Sequence, residues 1–384
     1  MQGNYIKNSE KKYQQVSLRQ MRKIHGNKSI ISQYADSSPP NHRFRRGLLG
    51  GRVKIRWFNW FLVMGIFVLA NTDGFAEFGP LQTMNRFPLH LLFLKPRPVS
   101  GELPAYGTLE TTMAFEYSNT YFDYENHHWN VLMDMEMMVS EFCFTYGIQS
   151  NIAIGFEVPL VSMSNGFLDG LLENYHDTIG VSNYHRENRP KNDFAYRLKK
   201  DNALLLQGET GNFEIADVTA FVQYKLLKST QNCPVKGSFL SRVKLPLGDQ
   251  NKGLGSGQFD IGVYLPIKYA KKKWSFFFMP GVAYIGDPEM GNIDWSARNS
   301  YSLFGGVAYE YSAGTTLLAQ LSYYTSPIEK TGLNELDRGA LELDFGFHHQ
   351  LNNELMLELA FCEDLTLAVP DFNLRIGFCW TKKR

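Results

Sequence analysis

The stretch Val235 to Tyr269, VKGSFLSRVKLPLGDQNKGLGSGQFDIGVYLPIKY, decides the fold. Val235, Gly237, Phe239, Ser241, Val243 and Leu245 alternate with Lys236, Ser238, Leu240, Arg242, Lys244 and Pro246. One face is mostly apolar and the other carries positive charge. After a turn region rich in Gly, Asn and Asp, the alternation resumes with Phe259, Ile261, Val263, Leu265, Ile267 and Tyr269 on one side. Each arm exceeds the roughly 5–6 residues of a soluble strand and matches the roughly 9–11 that cross a bilayer at a tilt. Such a hairpin reads as two neighbouring strands of a transmembrane β-barrel.

The same period recurs on both sides. Upstream, strands are expected at about 108–118 and 128–147, from Ile152 to Leu160, and at about 214–228. The second sets Trp129, Val131, Met133, Met135 and Met137 opposite Asp134 and Glu136. Its phase slips near Ser140, where Phe142, Phe144 and Tyr146 take over the apolar positions and a β-bulge is expected. Downstream, strands begin near Trp274, Tyr301, Leu317, Leu341, Leu355 and Asp371. Connections after even-numbered strands are short, and most after odd-numbered strands are longer and polar. Bacterial barrels follow this rule, with short periplasmic turns and both termini on the periplasmic side. The expected fold class is therefore all-β: a transmembrane antiparallel up-and-down β-barrel of about twelve strands over 108–380. In lipid an unpaired backbone group costs several kcal/mol, so the twelfth strand must pair with the first. That strand ends in Phe378 and Trp380, an aromatic finish like the recognition strand of outer-membrane barrels, although Thr381 to Arg384 follow it. Outer-membrane lipid and the barrel-assembly machinery are the partners this implies.

Charge separates the amino-terminal part from the rest. Through Ala76 the chain has 13 Lys and Arg against 3 Asp and Glu, whereas 77–384 hold 26 against 35, net −9. The basic excess belongs to a leader, so nucleic-acid binding is not implied. Arg52, Lys54 and Arg56 precede the apolar run Trp57 to Ala70, too short for a spanning helix of about 20 residues, and Gly74-Phe75-Ala76 supplies the small residues of a cleavage site. A cleaved secretory signal peptide ending at Ala76 is expected, with Val53 a candidate true start. Residues 77–107, rich in proline, are expected as an extended periplasmic lead-in to the barrel. Cys143, Cys233, Cys362 and Cys379 form no C-x-x-C pair, which argues against zinc and leaves free thiols or disulfides open.

Alternation assigns the lumen. Glu110, Glu116, Asp134, Glu136, Glu157, Glu342, Asp344 and Glu358 are expected to face it as acids, and Lys225, Lys236, Arg242, Lys244, Lys268 and Arg375 as bases. Acidic strands adjoin the closure seam and basic ones lie opposite. That arrangement suits a narrow channel with a transverse field, or side chains that pair and fill the interior. Small barrels hold their interiors full, so a filled or tightly constricted lumen is the preferred expectation. The long extracellular loop 164–213 sets Phe167, Leu168, Leu171, Leu172 and Tyr175 at helical spacing. Its Asp169, His176 and Asp177 are loop candidates for metal or acid/base work, with a solvated helix face the preferred reading. Gly253 to Gly257 lack the lysine and helix of a phosphate loop. No cofactor, metal or catalytic residue is assigned.

Several strings resemble a family of Gram-negative outer-membrane barrels, domain of unknown function 3187. They are Asp134-Met-Glu136 with Tyr146-Gly147-Ile148, Asn165 to Asp169 with Tyr175-His176, Lys244 to Asp249 with Gly255 to Asp260, and Glu363-Asp364 with Pro370-Asp371. The likeness covers roughly 80–380. It implies fold and location in the bacterial outer membrane, and no mechanism. The function expected is passive passage or binding of a small polar or amphipathic solute. The competing class is a lipid-modifying barrel enzyme of the phospholipase kind, for which no local Ser/His motif is present; a structural or surface-binding barrel is the third.

Overall fold

A computed structural model describes residues 78–179, 186, 189–230, 234–290, 295–366 and 368–383. The expected leader, its signal peptide, Val53 and Cys233 lie outside the described residues. The strands are β1 (Thr108–Glu125), β2 (Trp129–Gln149), β3 (Ile152–Ser164), β4 (Ala195–Lys200), β5 (Ala203–Gln207), β6 (Glu214–Ile215), β7 (Val218–Leu227) and β8 (Val235–Leu245). They continue as β9 (Asp260–Tyr264), β10 (Ile267–Lys271), β11 (Trp274–Tyr284), β12 (Ser300–Ser312), β13 (Thr315–Tyr324), β14 (Ala340–Gln350), β15 (Leu355–Asp364) and β16 (Phe372–Lys383). Among the described residues two α-helices, α1 (Asp169–Ile179) and α2 (Asn334–Asp337), lie in loops.

The barrel is closed, antiparallel and twelve-stranded: β1, β2, β3, β7, β8, the composite of β9 and β10, and β11 to β16. β1 zips onto β16 from Thr108 opposite Lys383 to Asn119 opposite Phe372, which removes the sheet edge. The deciding hairpin is β8 with β9 and β10. Its second arm is broken between Tyr264 and Ile267 because Pro266 has no N–H to give a ladder, and both pieces pair with β8 and β11. Short turns gather at one end with both barrel termini, and the long connections at the other. These are called the turn end and the loop end. Along the wall, outward residues such as Phe239, Phe278, Leu303, Leu321 and Phe345 are exposed apolar side chains, as a lipid-facing belt requires.

β1 and β2 run to 18 and 21 residues, well beyond a bilayer crossing, and project at the loop end. There β4 pairs with Trp129–Asp134 of β2, and β5 with β4. The β1–β2 ladder is continuous from Leu109 to Glu125, and the β2–β3 ladder shifts only between Gly147 and Gln149. The bulge expected near Ser140 is therefore absent. The apolar side of β2 changes face because its surroundings change. Within lipid, Phe142 and Phe144 point outward; above it, Val131, Met133, Met135 and Met137 point inward and join a core with Phe87, Leu92, Phe122 and Trp295.

The lead-in segment corrects a second expectation. Described residues 78–99 do not lie beyond the turn end but run inside the barrel, with most side chains buried. The segment starts beside Lys268, climbs past Gln320, turns in a 3₁₀ helix at Pro88–Leu92, passes Lys244 and Asp260, and returns toward Lys236. It leaves through a tight gap, where a Cβ on Gly101 would sit 2.6 Å from the Lys236 carbonyl oxygen. About eight strands enclose a space that side chains alone just fill; twelve enclose more, and the segment takes up the difference.

A lysine placed at Leu321, in mid-belt, is expected to cost about 2–4 kcal/mol in refolding into vesicles, and at Tyr311, by the turn end, about 0–1 kcal/mol. Equal costs at the two positions would contradict the assigned depth.

Candidate functional site

The site is the lumen, built from strand parity and filled by the segment. Residues opposite one another across an antiparallel ladder share a face, so Cys143 and Glu157, Thr219 and Lys244, and Lys244 and Asp260 all point inward. The buried carboxylates of this interior are Glu116, Glu141, Glu157, Asp217, Asp260, Glu342, Asp344 and Glu358; the buried wall cations are Arg242, Lys244, Lys268 and Arg375.

Ion pairs knit these groups to the segment. Arg86 Nε lies 2.6 Å from Glu116 and its Nη2 3.0 Å from Glu141. Arg97 pairs with Glu141 and reaches Glu157 at 3.8 Å. Arg375 bridges Glu116 and Glu358, with Glu358 2.7 Å from His348 Nε2. Thr83 donates to Asp344 at 3.0 Å, and Gln320 both donates to and accepts from the backbone of Leu81. Toward the loop end Lys244 donates to Asp217, Ser256 and the Leu92 carbonyl, each at 2.7 Å. Arg242 pairs with Glu157 and donates to the Lys95 carbonyl at 2.6 Å. At the turn end Glu102 receives both Lys236 and Lys268. Arginine suits this role because its planar fork serves two carboxylates and it stays charged when buried. A cavity of about 50 Å³, lined in part by Arg86, Lys95, Glu141 and Arg242, remains between segment and wall. That is room for a water or two.

Of the expected acids, Glu116, Glu157, Glu342, Asp344 and Glu358 lie in this interior, and Glu110 sits half-buried near the turn end. Of the bases, Arg242, Lys244, Lys268 and Arg375 are inside; Lys236 is half-buried, and Lys225 donates to the Ser150 carbonyl in a turn. Asp134 and Glu136 are a correction. With no bulge in β2 they share the outer face of the wall, opposite Tyr121 and Asn119. The long loop covers them. Glu136 accepts the backbone N–H groups of Phe167 and Leu168 and the Tyr117 hydroxyl. Gly166 makes the approach possible: its φ is +65°, and a Cβ there would land on the Glu136 carboxylate. Asp134 pairs with Arg189 at 2.7 Å. Burial disfavours the Arg189 charge, but the hydrogen bond and charge of Asp134 outweigh it and hold the guanidinium above its ordinary range.

The helix expected in this loop is α1. Within it Leu172 is buried and Leu171 exposed, and just before it Leu168 is buried and Phe167 exposed. Asp169 is buried and accepts from Arg186 at 3.0 Å and the Asn192 N–H at 2.7 Å, so it pins the loop. Asp177 is exposed, and the His176 side chain lies outside the described residues. Among the described residues no group of His, Cys, Asp and Glu is placed to hold a metal. Cys143, Cys362 and Cys379 are free thiols. The opposition of acidic and basic walls is also redrawn: Glu141 and Glu116 are met by Arg86 and Arg97 of the segment and by Arg375 of a neighbouring strand. Glu141, Arg86 and Arg97 are not among the expected lumen residues: alternation with Phe142 and Phe144 is the signal that places Glu141 inward, and the lead-in reading hides the two arginines.

The model of DUF3187, a family described as proteins of unknown function, matches residues 60–381. The chain belongs to this family. In fold it resembles the COG4313 outer membrane channel from Pseudomonas putida F1, with a TM-score of 0.50 and 14% identity over 73% of this chain and 97% of that one. The NanC porin aligns at TM-score 0.38 and 12% identity, covering 71% and 98% of the two chains. The P. putida toluene transporter TodX aligns at 0.33 and 11%, covering 72% and 89%. At these identities the likeness is one of fold. No curated protein matches the chain in sequence.

Glu141→Ala is expected to cost about 3–5 kcal/mol in urea unfolding from lipid vesicles, since it leaves Arg86 and Arg97 without their shared carboxylate. Glu136→Ala should release the loop, read as proteolytic nicking within 164–193 at protease levels that spare the parent.

Proposed function

We propose that this protein is an outer-membrane channel for small polar or amphipathic solutes, held shut by its own segment 78–99. The signal peptide would carry it across the inner membrane, and the turn end would face the periplasm. The observation that carries the reading is how the segment is held. It forms no ladder with any wall strand. Its backbone is gripped by wall side chains, as at Leu81, Leu92, Leu94 and Lys95, and its own Arg86 and Arg97 reach out to the wall. Such a filling can leave without unzipping the barrel, whereas a paired strand cannot.

The lipid-hydrolase alternative is less favoured. The described histidines with side-chain partners bond to Tyr324 (His90), Asp201 (His128), Glu358 (His348) and Thr315 (His349), and none of these is a serine. A nucleophilic serine needs its base in reach.

Planar-bilayer recording tests the proposal. The unaltered chain should be nearly silent, and Arg86→Gln with Arg97→Gln should raise the open fraction at least tenfold. Losing even about 3 kcal/mol of buried pairing moves a closed–open equilibrium by roughly two orders of magnitude. A folded double variant as silent as its parent would refute the plug reading.

A further inference from the structure

The segment and the wall carry opposite charge. Residues 78–101 include Arg86, Lys95 and Arg97 and not one Asp or Glu. The wall around them buries eight carboxylates against four cations. The segment is therefore the counter-charge of the lumen as well as its filling.

We infer that the lumen, once the segment has left it, is a cation-selective path whose selecting site is Glu116 with Glu141, and that it fits small organic cations bearing a guanidinium or ammonium group on an apolar body. This rests on the reading of the segment as a displaceable plug. Glu141 has three guanidinium partners, Arg86, Arg97 and, at 3.6 Å, Arg375. Two leave with the segment. Arg375 stays, but it is committed to Glu116 and Glu358. A second feature points the same way. The carboxylate of Glu342, 4% exposed and on the lumen face of β14 with Asp344, makes no hydrogen bond or ion pair with any described residue. Vacating the lumen thus leaves wall carboxylates that have lost their cations, and an entering cation can take the vacated positions.

No comparable place is freed for an anion. Arg242 keeps Glu157, Lys244 keeps Asp217 and Asp260, and Arg375 keeps Glu116 and Glu358, all wall partners, while Lys268 loses the Phe78 carbonyl but keeps Glu102, which lies outside the segment. The apolar body follows from the next layer. Beyond the carboxylates the lumen is lined by Phe122, Met133, Met135 and Met137, against which Phe87 and Leu92 now pack. Methionine-rich walls adapt to apolar occupants of varied shape. The segment itself displays the fitting pattern, a guanidinium at Arg86 followed directly by apolar groups.

The experiment uses the full chain with Arg86→Gln and Arg97→Gln, and separately with the milder Arg97→Gln alone, in planar bilayers under a KCl gradient. The reversal potential is expected to favour K⁺ over Cl⁻ roughly fivefold or more. Adding Glu116→Gln and Glu141→Gln should erase most of that preference. Octylguanidinium should block the current, with block weakened at least tenfold by Glu141→Gln, while octyl sulfate at the same concentration should have no such carboxylate-dependent effect. Current that is unselective or favours Cl⁻, or block indifferent to Glu141, overturns the cation site and leaves the channel standing. Silence in every folded variant overturns the channel reading and the inference with it.

Discussion

The filling of this lumen centres on Glu141, a buried carboxylate met by three guanidinium groups. It sits on β2 with Glu116 of β1 and Glu157 of β3 nearby, three acids on three adjacent strands. The wall alone does not neutralise them. Arg375 reaches two of them and Arg242 a third, and the balance comes from Arg86 and Arg97, carried in by a segment that precedes the first strand. The route of residues 78–99 follows from this. They enter from the turn end, place Arg86 between Glu116 and Glu141, turn at the apolar layer and bring Arg97 back to Glu141 and Glu157. Removing any one member exposes charge that the lumen cannot solvate, so the network behaves as a unit.

The second constraint is the change of solvent along the wall. Across the bilayer the outside must be apolar and the inside is free to be polar. Beyond it the rule reverts to that of a soluble protein, with apolar residues inside and polar residues outside or covered. β2 crosses that boundary as one unbroken strand, so its apolar side chains switch from even to odd positions without any change of register. Phe142 and Phe144 meet lipid, and Met133, Met135 and Met137 meet Phe87 and Leu92. The even positions above the boundary, Asp134 and Glu136, are then outer-wall acids. The loop supplies partners through Arg189 and two backbone N–H groups, and β1 adds the Tyr117 hydroxyl.

This explains what the residues alone made legible. Within the bilayer a period of two has one meaning, and the hairpin Val235 to Tyr269, the closure of β16 on β1 and the lumen positions of Glu157, Arg242, Lys244 and Glu358 follow from alternation. Above the bilayer the same alternation has the opposite meaning. A phase slip at Ser140 looks like an inserted residue when it is a change of environment, and reading it as a bulge moves Asp134 and Glu136 inside, whereas Glu141, beside Phe142, faces the lumen on either reading. The segment was illegible for a different reason. Its prolines and irregular spacing resemble a linker, and only the combination of three cations, no acids and the run Phe87 to Leu94 marks it as something built to be buried in an acidic place.

The manner of attachment then separates two kinds of stability in one chain. The wall owes its persistence to a closed ladder of backbone hydrogen bonds, which opens only at the cost of an exposed edge in lipid. The segment owes its place to charge pairs and to apolar contact at Phe87 and Leu92, and those terms respond to what else the lumen contains. A cation that satisfies Glu141, or an apolar group that takes the place of Phe87, lowers the cost of the segment's departure without touching the wall. Filling and wall are thus independently adjustable, and the sequence places the acids in one and their counter-charge in the other.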